Sequence, residues 1–170
     1  MPDASSTSRR DRDAAGRARN ARPRDELGRP LPRQARGVPG ASEEALAPDE
    51  ALSTAQRLLH EGRPFHAHEV LEAAWKAAPA AQRDLWQGLA QVAVGLTHAL
   101  RGNSRGAVAL LRRGADKLGG YPAHGPHDVD VAGVQRSCAE LAARIEASGT
   151  GQLQPRDTDI RLRVRDQEGG

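Results

Sequence analysis

Apolar side chains recur from residue 49 to 147 at steps of three and four, the spacing that stacks them on one face of an α-helix. Leu52, Ala55, Leu58 and Leu59 predict a first helix over 49–61, with Pro48 and Asp49 suited to its start and Gly62 to its end. Val70, Ala74, Ala67, Leu71 and Trp75 form a broad arc over 64–78, opened by Pro64 and stopped by Pro79. A third helix is expected over 80–101. Leu85, Leu89, Val92, Ala93, Leu96 and Leu100 fill one side of it, and Gln87, Gln91 and His98 line up on another. A helix so apolar should be the central one, packed on several sides. Asn103 or Ser104 can cap a fourth helix reaching Leu118, in which Gly106, Ala107 and Gly114 are small enough to let a neighbour approach. The stretch 119–127 (GGYPAHGPH) is turn chemistry. A fifth helix to about Ala147 follows, on the stripe Val131, Val134, Cys138, Leu141 and Ile145.

These periodicities predict an all-α fold, a compact bundle of about five helices spanning 48–148. The scarcity of aromatics, limited to Phe65, Trp75, Trp86 and Tyr121, agrees with helices rather than strands. Residues 1–47 read as a disordered, arginine-rich arm. After Met1 they hold Leu27, Leu31, Val38 and Leu46 as their large aliphatics, too few to offset the entropy of ordering. Residues 149–170 read as a flexible tail in which Ile160, Leu162 and Val164 alternate with arginines, a short extended segment able to dock on the bundle.

Charge adds one candidate partner. The arm carries ten arginines up to Arg36 against five acidic residues in its first forty positions, a balance that suits nucleic acid or another polyanion. Interspersed Asp11, Asp13, Asp25 and Glu26, and the lack of any aromatic to stack on bases, weaken that reading. Cys138 is the only cysteine, which excludes an intramolecular disulfide and suits a reducing compartment. Arg9 and Arg10 precede Asp11 and Arg12 rather than an apolar run, so no secretory signal is expected. The longest uncharged stretch, Leu85 to Leu100, is 16 residues, short of the roughly 20 a bilayer-spanning helix needs. The expected setting is therefore cytoplasmic, with no membrane partner.

The residues able to carry chemistry are His66, His68, Glu69 and Glu72 on helix two and Gln87, Gln91 and His98 on helix three. His68 and Glu72 are four apart and share a face, as do Gln87 and Gln91, with His98 two turns further. If the two helices pack antiparallel, these stripes meet inside the bundle. Three readings follow. One is a metal or acid–base site built from facing helices, with His68, Glu72 and His98 as metal candidates. Another is a hydrogen-bonded network that fixes the packing. The third is a small-ligand pocket. Glu72 stands where an HExxH motif would need its second histidine, which argues against a zinc protease. There is no phosphate-binding glycine loop, no paired cysteine motif and no nucleophile elbow. His124 and His127 read as exposed loop histidines, and His60 as favourable at a helix C-terminus.

The runs FHAHEVLEAAWKAAP (65–79) and LWQGLAQVAVGLTHALRGNSRGAVALLRRGADKL (85–118) resemble the family called domain of unknown function 309. The resemblance rests on Phe65, Ala67, His68, Glu69, Glu72 and Trp75, then on Gln87, Gly88, Leu89, Gln91 and His98, and finally on Gly102, Asn103, Gly106 and Ala107. It extends over about 49–147, and the arm is similar to leaders of actinobacterial members. It implies a small helical bundle of bacteria and archaea, and names no activity, substrate or cofactor.

The leading functional expectation is a non-catalytic module that binds a partner or self-associates into a homo-oligomer. Its rivals are a metal-dependent or acid–base enzyme using His68, Glu69, Glu72 and His98, and a nucleic-acid-associated protein acting through the arm. Because the arm lacks apolar content, deleting residues 1–44 should leave the thermal midpoint within a few degrees. A large fall in the midpoint would mean that the arm packs on the domain.

Overall fold

The computed structural model describes residues 44–164. Most of the arm, with its arginines, lies outside the described residues. So do the last six positions.

Five α-helices follow one another: α1 (Pro48–His60), α2 (Pro64–Ala77), α3 (Arg83–Leu100), α4 (Ser104–Leu118) and α5 (Val131–Ser148). Short 3-10 turns cover 80–82, 126–128 and 155–158, and among the described residues there is no strand, only two isolated β-bridges. The fold is all-α. The third helix begins three residues later than its apolar pattern suggests, because Pro79 is extended and Ala80–Gln82 form a separate 3-10 turn. Gly62 and Gly102 end α1 and α3 with φ of 72° and 83°, the left-handed geometry that costs a residue with a Cβ.

Each helix packs on the next in sequence, and α3 is the hub between α2 and α4. Leu85, Leu89, Val92, Ala93 and Leu96 of α3 are all buried, as are Leu52 and Leu59 of α1, Leu71 of α2, Leu111 and Leu118 of α4, and Ile145 of α5. Removing each of the larger aliphatic side chains from water is worth about 1.5–3 kcal/mol. The α3–α4 contact is made backbone to backbone. A Cβ on Gly114 would lie 2.8 Å from the Gly88 carbonyl oxygen and 3.0 Å from the Val92 nitrogen, and one on Gly95 would lie 3.0 Å from the Leu111 nitrogen. Among the small residues of α4, Ala107 and Gly114 are the ones buried in this contact. Gly106 instead sits against the side chain of Asn103.

The chain then returns to its start. Residues 159–164 lie along α1 with Ile160 and Leu162 buried and Val164 39 % exposed. The segment has no strand partner beyond a single bridge from Val129 to Arg163, so a side chain supplies one: Gln56 Nε2 donates to the Ile160 carbonyl (3.1 Å) and Gln56 Oε1 accepts from the Leu162 amide (2.8 Å). The amide group thus satisfies two backbone groups that would otherwise stay unpaired beside the core.

Two aromatic placements depart from the helical arc read in the sequence. The buried face of α2 runs through His66, Ala67, Val70, Leu71 and Ala74, which turns Trp75 to the rim, where it is half-buried. The fully enclosed indole is Trp86, 2 % exposed. Trp86→Ala should therefore cost roughly 3–5 kcal/mol, as deletions of buried aromatics do, and Trp75→Ala clearly less. Urea unfolding of the two variants checks the order; equal losses would contradict it.

Candidate functional site

α2 packs against α3, and the start of α2 lies near the end of α3, where the Arg101 guanidinium is 6.0 Å from the centroid of the Phe65 ring. His68 lies one turn into α2, with its side chain 21 % exposed. Its Nε2 is 3.1 Å from Glu72 Oε2, and Lys76 Nζ is 3.2 Å from the other oxygen of the same carboxylate. Burial lowers the His68 pKa from its usual value; the Glu72 carboxylate opposes this shift and Lys76 adds to it. A neutral His68 with its proton on Nε2 donates to Glu72, which leaves a lone pair on Nδ1. That nitrogen is buried without a hydrogen-bond partner among the described residues. Glu69 does not join this pair. Its Oε1 lies 3.3 Å from Nδ1 of His66, a ring only 2 % exposed.

On α3 the polar side chains go to different tasks. Gln87 and Gln91 are half-buried, and Gln91 Oε1 is buried with no partner among the described residues. His98 faces the turn into α4, where its Nδ1 accepts from Asn103 Nδ2 at 3.0 Å. The direction follows from the other end of the same amide: Asn103 Oδ1 accepts from the Gly106 N–H at 3.0 Å and caps α4. Burial, followed by the charge of Arg101, lowers the His98 pKa and so favours the neutral ring that this bond needs. His98, Gly102, Asn103 and Gly106 thus form one helix–turn–helix corner. His98 orients the capping amide, Gly102 makes the turn, and Gly106 leaves room for the cap.

His68, Glu72, Gln91 and His98 therefore do not share a hydrogen-bonded centre. His68 pairs with Glu72 along α2, His98 pairs with Asn103 beyond the end of α3, and no hydrogen bond among the described residues joins one set to the other. No group of three or more His, Cys, Asp or Glu side chains among the described residues is placed to hold a metal ion. His68 with Glu72 offers two ligands at most. Burial pushes the Cys138 thiol up to about 12, so it is not a nucleophile at neutral pH.

One polar cluster was not legible in sequence. The 119–127 loop folds over the start of α3, where the Tyr121 hydroxyl accepts from the Leu85 amide (3.0 Å) and donates to the Ala81 carbonyl (2.9 Å). It does the work of a missing N-cap, since Gln82 makes no capping bond. His127, expected in solvent, is half-buried: its Nε2 is 2.8 Å from Gln82 Oε1 and its ring centroid 5.9 Å from that of Trp86. His124 is exposed as expected, and pairs with Asp128. His127 and Asp128 take left-handed φ of 55° and 61°, and the only sequence signal for it is the glycine and proline around them.

The shifted histidines set the response to pH. The unfolded chain protonates His68 and His98 near 6.5, and the folded protein only below that. Their contribution to stability is therefore whole above 6.5 and falls as acid is added. His60, raised by its bond to Asp159, has the opposite sign: its contribution is whole below 6.5 and lost as pH rises through its raised value. In a proton NMR titration the His68 and His98 rings should change below pH 6.5 and His60 above it. A His68 ring titrating at or above 6.5 would contradict its burial.

No curated protein and no solved structure matches the chain. The matching family model is described as Domain of unknown function (DUF309), and it spans residues 52–110, from the second turn of α1 to the middle of α4. That span holds the His68–Glu72 pair, the α3 glycines and the whole His98–Asn103–Gly106 corner, and stops short of α5. Over this segment the chain is similar to the DUF309 family.

Proposed function

We propose that this helical bundle is a non-catalytic binding module, and that its ligand surface is the groove between α1 and residues 159–164. One observation carries the reading: the polar residues of the family segment are engaged locally, in an intrahelical pair and in a helix-capping corner, instead of converging on an open centre. The α1 groove, in contrast, is open and has a volume of 910 Å³. Small-molecule sites typically occupy about 300–1,000 Å³. No described helix is long and apolar enough to cross a membrane. We place the module in the cytoplasm, in keeping with a lone buried thiol.

An acid–base enzyme is the second reading, favoured by one feature: Glu72 orients a neutral His68, as carboxylates do for catalytic and metal-binding imidazoles. The unpaired Nδ1 is the atom that would act. That atom is buried, whereas a base must reach its substrate, and this favours the binding module.

The two readings part in a fragment screen followed by two-dimensional NMR. The module reading expects bound fragments to shift Ser53, Arg57 and His60, and to do so equally in His68→Gln. Fragments that shift His68 and Gln91 instead, or zinc that survives dialysis of untagged protein and is lost in His68→Gln, would overturn it in favour of the enzyme.

A further inference from the structure

Two arginines of the α1 groove have no side-chain partner among the described residues. Its two acidic groups already have hydrogen-bond partners, histidines that balance their charge only when protonated: Asp159 Oδ2 lies 2.9 Å from His60 Nδ1 while Oδ1 accepts from Gln56 at 3.3 Å, and Asp128 lies 2.8 Å from His124. Arg163 is matched as well. Its Nη2 donates to the Asp49 carbonyl and to Ser53 Oγ, both at 2.7 Å, and its Nη1 is 3.5 Å from the Asp49 carboxylate. Arg57 and Arg161 remain. They line the groove from its two walls, are exposed, and have no ion pair or hydrogen bond among the described residues. The Ser53 hydroxyl accepts from Arg163, so its own proton is free to donate into the same space.

We infer that the groove binds a small polyoxyanion, a ligand with two or more phosphate or carboxylate groups, held by the guanidinium forks of Arg57 and Arg161 and by the Ser53 hydroxyl. Guanidinium forks match the paired oxygens of such groups, and charge-assisted bonds of this kind are the stronger ones. A single wall would offer one arginine to a monovalent group. Two walls with one unmatched arginine each fit a ligand with two. Longer nucleic acids fit less well, because no described phenylalanine, tyrosine or tryptophan lines the groove to stack a base and His60 is engaged with Asp159. The inference rests on the reading of this groove as the ligand surface and adds the chemical class of the ligand.

The test uses the full chain and three titrants followed by two-dimensional NMR: pyrophosphate, citrate, and sodium chloride at matched ionic strength. Saturable shifts at Ser53, Arg57, His60 and Arg161 are expected with pyrophosphate or citrate, and which of them binds more tightly tells phosphate from carboxylate. Arg57→Gln with Arg161→Gln should weaken binding at least about tenfold. The thermal midpoint should stay unchanged, since both side chains are exposed. Shifts that sodium chloride reproduces, or binding equal in the double variant, would overturn the inference. If instead uncharged fragments shift the groove residues and neither anion does, the anion class is wrong and the ligand surface stands. If nothing shifts them, both are wrong.

Discussion

The approach of α3 to α4 is the constraint on which the rest of the bundle depends. Two helices can touch through their backbones only where side chains are missing, and here Gly88 and Gly95 of α3 meet Gly114, Leu111 and Ala107 of α4. The pairing of Gly88 with Gly114 and of Gly95 with Ala107 and Leu111 fixes an antiparallel register. Val92 of α3 belongs to this contact with α4, and the buried leucines of α3 share one core with those of the other helices. The α3 helix is buried over most of its circumference, and its half-buried polar positions are few. The tight contact also demands a short, well-defined corner between the two helices. That demand gives a physical reason for Gly102, Asn103, Gly106 and His98 to occur together.

The same logic separates structural from functional use of the motif residues. Gly88, Gly95, Ala107 and the corner account for much of the family segment without any reaction. Among the rest are His68, Glu72 and Gln91. The first two form an i, i+4 pair on the rim of α2, of the kind worth a few tenths of a kcal/mol on an exposed helix, about 0.2–0.5 kcal/mol. Glu72 divides its oxygens between His68 and Lys76, so its charge is already spoken for on both sides. The groove on α1 has the opposite character: its acids already have hydrogen-bond partners, and Arg57 and Arg161 have none among the described residues.

Much of the fold was legible in the chain. Helix limits marked by Pro48, Gly62, Pro64, Gly102 and Asn103 came out within a residue or two, because those residues act through local backbone geometry. The central role of α3 followed from its lack of charge, and the docking of Ile160 and Leu162 from their alternation with arginines. What escaped depends on tertiary placement. A turn of a few tens of degrees about the α2 axis exchanges His66 for Trp75 on the buried face, and periodicity cannot resolve so small a rotation. The convergence of His68 with His98 was inferred from antiparallel packing alone, yet His98 was claimed by Asn103. Gln56, Tyr121 and His127 belong to no motif. Each satisfies a group or fills a space set by residues at least 36 positions away.

The most direct measurement is the stability of Gly114→Ala. Helix propensity alone makes alanine the better residue inside a helix by about 1 kcal/mol. The close contact reverses the sign, because the new Cβ would meet the Gly88 carbonyl and Val92 at distances no Cβ tolerates, and overpacking of this kind costs about 1–3 kcal/mol. Gly120→Ala, where a Cβ meets nothing within 4 Å, serves as the control. Urea unfolding is expected to show Gly114→Ala less stable than the parent protein while Gly120→Ala is nearly unchanged. A Gly114→Ala protein more stable than its parent would contradict the backbone contact between α3 and α4, and with it the packing built around it.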